Sequence, residues 1–251
     1  MSNGRLNGRT AIVTGGAKGI GRAIAQAYAA EGASLMIADR NFSGAQATAQ
    51  AIEAEGGVAA AFATDVTSTA DVVDMVAATV QRFGTVDILV NNAGLLNACL
   101  LTDMSPEIWD DMIAVHMRGM FLCCRFAVPH MQAGGRGTII NMSGSFGVSG
   151  AASFTHLSAA KAGMIGFTQA LAREVGPDNI RVNAIAPAIV ETDLATGMSN
   201  DAIAATVATY PLRRAGTVSD IVPTAVFLAS DDSAFYTGQT LCPAGGAVMA
   251  A

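Results

Sequence analysis

The residues best suited to chemistry in this chain of 251 residues cluster in "SFTHLSAAKAGM", Ser153 to Met164. Lys161 stands there among small residues, at the head of an amphipathic run. One helical turn before it, where a proton-donating hydroxyl would serve, the sequence has Leu157, which cannot transfer a proton. The stretch reads as the start of a catalytic helix with one residue of the wrong kind.

A second chemical signal lies near the N-terminus. An apolar strand leads into "TGGAKGIG", Thr14 to Gly21, and then into the helical run "RAIAQAYAAEG". Gly15, Gly19 and Gly21 remove side chains where a strand turns sharply into a helix. Backbone N–H groups and the positive helix end then meet a pyrophosphate directly. The next strand ends in Asp39, eighteen residues beyond Gly21. A carboxylate there accepts hydrogen bonds from ribose hydroxyls and repels a 2′-phosphate, so NAD(H) is expected over NADP(H). Arg40 beside it pulls the other way, since a guanidinium accommodates that phosphate. Asp65, at the end of the third strand, either approaches an adenine or helps to begin the next helix.

These groups need a frame, and the chain supplies one in alternation. Strands are predicted at "TAIVTG", "SLMIAD", "VAAAFATDV", "VDILVNNAG", "GTIINMSG", "IRVNAIAP" and "QTLCPAGG". Helical patterns begin near Gly19, Ser43, Ser68, Ser105, Ser153 and Thr217. Ser68 with Asp71 has capping-box spacing, and Pro106 after Ser105 fits a first helical turn. Strand and helix taking turns throughout predicts βαβ units. The expected fold is α/β: one Rossmann-type doubly wound parallel sheet of about seven strands, in a single domain spanning 1–251. The long connection at about 188–217 is expected to form a substrate lid carrying short helices.

Composition narrows the partners. The formal net charge is −6, with no basic cluster, which argues against nucleic acid or an anionic membrane surface. The N-terminus "MSNGRLNGRT" lacks the apolar core of a signal peptide, and no uninterrupted apolar run approaches ~20 residues. Cys99, Cys123, Cys124 and Cys242 have neither metal-ligand nor disulfide spacing. Cys123 and Cys124 are expected to face a helix core. A reduced, soluble, cytoplasmic protein with no metal is the expectation.

Taken together, "TGGAKGIG", "VNNAG" (Val90 to Gly94), "SAAKAG", "RVNAIAP" and "TGQTLCPAGG" resemble the short-chain dehydrogenase/reductase family over essentially the whole chain. The resemblance implies a Rossmann-fold subunit, commonly tetrameric, that interconverts an alcohol and a ketone with a nicotinamide cofactor. It implies that Gly15, Lys18, Gly19, Ile20 and Gly21 line the phosphates. Asp39 would hold the ribose, and Asp65 with Val66 the adenine. Asn92, Ala93 and Gly94 would pass the second ribose, whose hydroxyls Lys161 would bind. Pro187, Ile189 and Thr192 would border the nicotinamide amide.

The catalytic positions depart from that pattern. The family uses a tyrosine four residues before the lysine, a serine further upstream, and an asparagine in the preceding helix. Those positions carry Leu157, Gly144 (between Ser143 and Ser145) and His116. Ala188 and Ala244 also replace a glycine and an acid of the family. The resemblance thus implies an NAD(H)-dependent oxidoreductase with an altered centre, in which Ser143 or Ser145 could turn inward and water supply the proton. Two alternatives stand beside it. One is non-redox proton chemistry by His116, as an imidazole titrating near neutrality, together with Lys161. The other is a catalytically silent nucleotide-binding subunit. His116 could equally fill a packing niche. His156 is expected to face away from the substrate, and His130 to lie at a helix end. Leu95, Leu96, Met142 and Phe146 are either the walls of a pocket for an apolar substrate or plain packing.

Overall fold

The computed structural model describes residues 4–192 and 199–249. Seven strands form one sheet in the order β3-β2-β1-β4-β5-β6-β7. They are β1 Thr10–Thr14, β2 Ser34–Asp39, β3 Val58–Ala63, β4 Ile88–Asn91, β5 Gly137–Met142, β6 Ile180–Ile185 and β7 Thr240–Leu241. Every pairing is parallel. The expected doubly wound sheet is therefore present. Strands three and seven are shorter than their apolar runs.

The central strands are buried along their whole length, which explains why they read as continuous apolar runs without alternation. Successive side chains still point to opposite faces. Ala11 and Val13 of β1 pack with Ile24, Ala25 and Tyr28 of helix α1 (Gly19–Ala30) and with Ile221, Ala225 and Leu228 of α9 (Val218–Ala229). Ile12 between them faces Val72, Met75 and Val76 of α3 (Thr69–Phe83) and Cys123, Cys124 and Ala127 of α5 (Gly119–Gly134). Cys123 and Cys124 are thus core residues, as expected. Tyr28, wholly buried, satisfies its hydroxyl by donating to the Ala225 carbonyl at 2.9 Å across that layer.

The remaining helices are α2 (Phe42–Ala54), α4 (Pro106–Ile113), α6 (Phe146–Ser149), α7 (Thr155–Val175) and α8 (Asn200–Val207). Helix α4 has Pro106 in its first turn, after the Ser105 cap. It runs without a break through a π-turn, Ala114–Arg118, into α5. This joined rod is long and apolar enough to match a membrane span. Its apolar side is spent on the core through Met112, Met120, Leu122 and Met131.

Three local expectations need correction. Helix α2 is capped by the Asn41 side chain, which accepts from the Gly44 amide, so it starts before Ser43. Ser153 lies outside α7 with φ of 65°, and Phe154, buried against Leu157, takes the cap position without a side-chain acceptor. At α3, Ser68 does accept the Asp71 amide, but the Asp71 carboxylate reaches the Ser68 hydroxyl and the Asp65 amide instead of the cap's own N–H. Of the 188–217 segment, residues 193–198 lie outside the described residues. The rest holds α8 and a parallel bridge between Val190 and Gly216.

Candidate active site

Strand order reverses beside β1, where chain connections leave in opposite directions and open a crevice beyond the C-terminal strand ends. The candidate residues stand at the C-terminal ends of β1 through β6, on the loops that follow them and on the helical segments those loops lead into. The first loop is held by β4. Thr14 Oγ1 accepts the amides of Asn92 and Ala93 at 3.0 and 3.1 Å, and Asn92 Nδ2 donates to the carbonyls of Thr14 and Gly15 at 3.0 and 3.1 Å. This leaves no room for side chains in the turn. A Cβ on Gly15 would lie 2.8 Å from Ala93 Cα, and one on Gly21 would lie 2.2 Å from the Gly15 carbonyl oxygen. The result is bare backbone at the N-terminus of α1, which suits an anion held by N–H groups.

One groove runs from this turn along the ends of β2 and β3. Gly15, Lys18, Gly19 and Ile20 line it at one side, Asp39, Arg40, Asp65 and Val66 at the other, with Asn92, Ala93 and Gly94 between. Gly21 supports the turn from beneath. Both Asp39 carboxylate oxygens accept backbone N–H groups, from Ala17 at 3.0 Å and Asn41 at 2.9 Å, so the side chain is oriented in advance. Arg40 is exposed, 4.0 Å from Asp65. Asp65 stands where the groove and the entry to α3 meet. It lines the groove, and it accepts the amide and hydroxyl of Thr67 at 2.9 and 2.7 Å at the entry to α3.

The groove continues past Ile20, Asn92, Gly94 and Thr192 into a pocket around Lys161. Lys161 Nζ donates to the Met142 carbonyl at 2.6 Å, and burial pushes the amine down to about 7. Leu157, one turn earlier, is 5% exposed and packs with Met112, Phe154 and Ala160. No tyrosine substitutes for it. The chain has three: Tyr28 is committed to Ala225, Tyr236 stacks edge-on against Phe227, and the Tyr210 hydroxyl accepts the Ile189 amide at 3.4 Å outside this pocket.

The serines flanking Gly144 separate in role. Ser143 lines the pocket, with its Oγ donating to the Lys161 backbone carbonyl at 2.8 Å, so its proton is engaged in that bond. Ser145 lines the pocket, its amide donating to the Pro187 carbonyl at 2.8 Å, and no hydrogen bond ties its hydroxyl to another described residue. At Gly144 an added Cβ would touch nothing closer than 3.8 Å, so a serine would fit there.

The π-turn brings His116 into the pocket wall. Its Nε2 lies 3.0 Å from the Leu95 carbonyl and 3.3 Å from the Leu95 amide, while buried Nδ1 has no partner among the described residues. Burial first, then the Lys161 charge, pushes the imidazole down to about 3. The expectation that His116 titrates near neutrality is therefore corrected: a ring taken out of water cannot accept a proton there without a counter-charge. The ring also presses on Gly94, where a Cβ would meet His116 Cε1 at 2.6 Å. His156 is buried, with Nε2 2.8 Å from Asn97 Oδ1, and does not line the pocket. His130 falls within α5, which continues through Pro129 to Gly134.

Pro187, Ala188, Ile189 and Thr192 close the far side, and Leu95, Leu96, Met142 and Phe146 form apolar walls. Thr192 bends back to Gly19, whose Cβ would lie 3.5 Å from the threonine methyl. Sequence reasoning missed Thr14 and the Met142 and Leu95 carbonyls. Thr14 carried a faint signal, as a polar residue ending a buried strand. The carbonyls carried none, because backbone acceptors leave no mark in residue type.

A family model described as enoyl-(acyl carrier protein) reductase matches residues 15–247. The chain is 40% identical over 249 residues to the 3-oxoacyl-acyl-carrier-protein reductase FabG of Chlamydia trachomatis, covering 97% of this chain and 99% of the relative. It is 35% identical over 245 residues to the FabG reductase of Thermotoga maritima, covering 98% and 100%. A crystal structure from Brucella melitensis, described as a short-chain dehydrogenase/reductase, glucose/ribitol dehydrogenase, matches with a TM-score of 0.92. The two are 32% identical, over 99% of this chain and 100% of that one.

Proposed function

Because the chain belongs to the short-chain dehydrogenase/reductase family of nicotinamide-dependent oxidoreductases, we propose that it grips NAD(H) in the groove and acts, slowly, on an alcohol or ketone with apolar substituents. The observation that carries this reading is the pairing of a complete cradle with a Lys161 pocket that no tyrosine lines.

When bound, the nicotinamide supplies or takes the hydride. The glycine turn holds the phosphates, Asp39 the adenine-side ribose, and Lys161 the hydroxyls of the other. Leu157 offers no proton to the substrate oxygen and Gly144 no hydroxyl to polarise it, which leaves Ser145 and water. Losing a positioned general acid costs about 10²–10⁴ in rate. The apolar walls suit an acyl or alkyl substituent, which agrees with the 3-oxoacyl substrates in the relatives' names. Non-redox chemistry through His116 draws no support from so buried and neutral a ring. A homotetramer in the cytoplasm, with 188–217 acting as a lid, completes the proposal by family resemblance.

Preference for NAD(H) rests on the pre-oriented Asp39 carboxylate, with Arg40 directed toward Asp65. Titration of the chain's fluorescence with NADH and NADPH tests it. NADH is expected to bind about tenfold more tightly or better, a difference of about 1.4 kcal/mol, and Asp39→Ala should narrow that gap. Equal affinities would overturn the preference, and no saturable binding of either would overturn the whole reading.

A further inference from the structure

Lys161 is one of two lysines in the chain, the other being Lys18. Its stem lies along the Gly144 side of the pocket, where a Cβ on Gly144 would stand 3.9 Å from the lysine Cγ and Cε. The amine is fixed by the Met142 carbonyl at 2.6 Å. Among the described residues no carboxylate lines the pocket, and Lys161 makes no ion pair. The walls beyond it are Leu95, Leu96, Phe146 and Leu157. A positioned amine, no phenol, no counter-ion and an aliphatic chamber make a different reagent from the lysine of a proton relay.

We propose that Lys161, with no dinucleotide present, is a carbonyl-capturing amine whose Nζ condenses with an aldehyde bearing an apolar tail. The nitrogen lone pair adds to the carbonyl carbon, and the C=O electron pair moves to oxygen, which takes up a proton. Nitrogen gives up one proton to solvent to leave the neutral carbinolamine. Its hydroxyl then takes a second proton from solvent and departs as water while the C=N bond forms, and nitrogen returns its remaining proton to solvent. Amine and aldehyde become imine and water, with no change of oxidation state.

Addition needs a neutral amine. Burial without a compensating charge supplies one: with the amine pushed down to about 7, the neutral fraction at pH 7 is about 10³-fold that of an ordinary lysine. His116, the titratable group facing it from the π-turn, is itself held neutral and adds no charge. The capture uses the amine that the cofactor reading gives to the nicotinamide-side ribose, so the two compete for Lys161, and the capture is tested with dinucleotide left out.

The test uses the full wild-type chain at pH 7, without dinucleotide, treated with hexanal and then borohydride, and mapped by peptide mass spectrometry. Reductive trapping is expected at Lys161 at least about tenfold over Lys18, which does not line this pocket, because burial in apolar surroundings favours the neutral amine. Glyoxylate, whose carboxylate finds no partner in the apolar chamber, should leave Lys161 unmodified. Equal trapping at both lysines, trapping confined to Lys18 or the N-terminus, or glyoxylate reacting at Lys161 as readily as hexanal would each overturn the proposal. The map is read on the wild-type chain, so the folding of a variant does not enter.

Discussion

At the scale of single residues, the site is a set of mutual exclusions. His116 and Gly94 show this best, because the ring occupies the space a side chain at 94 would need. Gly94→Ala should therefore destabilise the chain by about 1–3 kcal/mol in urea unfolding. The same change in a His116→Ala background should cost markedly less, and an equal cost in both would show that the two do not compete. Much of this scale was legible in the sequence. Gly15, Gly21 and Asp39 stand at the turn and strand end that residue order predicted, whereas Lys161 was identified by the family resemblance. The state of His116 and the commitment of Ser143 were not legible. Both depend on what lies across the pocket, and burial and hydrogen-bond geometry arise only when distant segments meet.

At the scale of elements, caps decided most of the boundaries. Ser68 and Ser105 cap the helices whose starts their spacing marked, and Thr217 caps α9, whereas α2 and α7 begin after Asn41 and Phe154. At α2 the Asn41 side chain accepts the Gly44 amide, and at α7 Phe154 takes the cap position with its ring buried beside Leu157. The entry to α9 carries the most concentrated electrostatics. Asp220 accepts the Thr217 amide at 2.7 Å and forms a two-pronged pair with Arg214 at 2.7 Å for each contact. These bonds, Arg214 foremost, hold its carboxyl well below the usual carboxylate range. A depressed carboxyl contributes stability above its unfolded pKa and loses it as pH falls through the native one. Asp220→Asn should thus lower the melting temperature at pH 7. The deficit should shrink as the pH is brought below 4, and a deficit independent of pH would assign the residue a purely steric role. Since Gly216 bridges to Val190, this cap also fixes one end of the segment that borders the pocket.

At the scale of the whole molecule, two apolar layers clamp a parallel sheet, and the candidate site lies at the edge where those layers part. The strand alternation announced this architecture because strands buried on both faces must be apolar throughout. A ligand spanning the loops after β1 to β6 ties all of these segments together, so NADH at a hundredfold excess over its dissociation constant should stabilise the native chain by about 2.7 kcal/mol. For a domain of this size that corresponds to about 5–10 °C in melting temperature. A shift absent with NADH would remove the dinucleotide from the account. The central claim, that a preserved cofactor frame is throttled by the loss of one phenol and its helpers, meets its most direct test in single-turnover absorbance at the reduced nicotinamide band. The chain carrying Leu157→Tyr, Gly144→Ser and His116→Asn together is compared with the parent against a panel of apolar ketones. The account predicts hydride transfer faster by about 10²–10⁴-fold in the triple variant, with NADH affinity preserved. A parent as fast as the triple variant, or a triple variant that binds NADH and gains nothing, would contradict it.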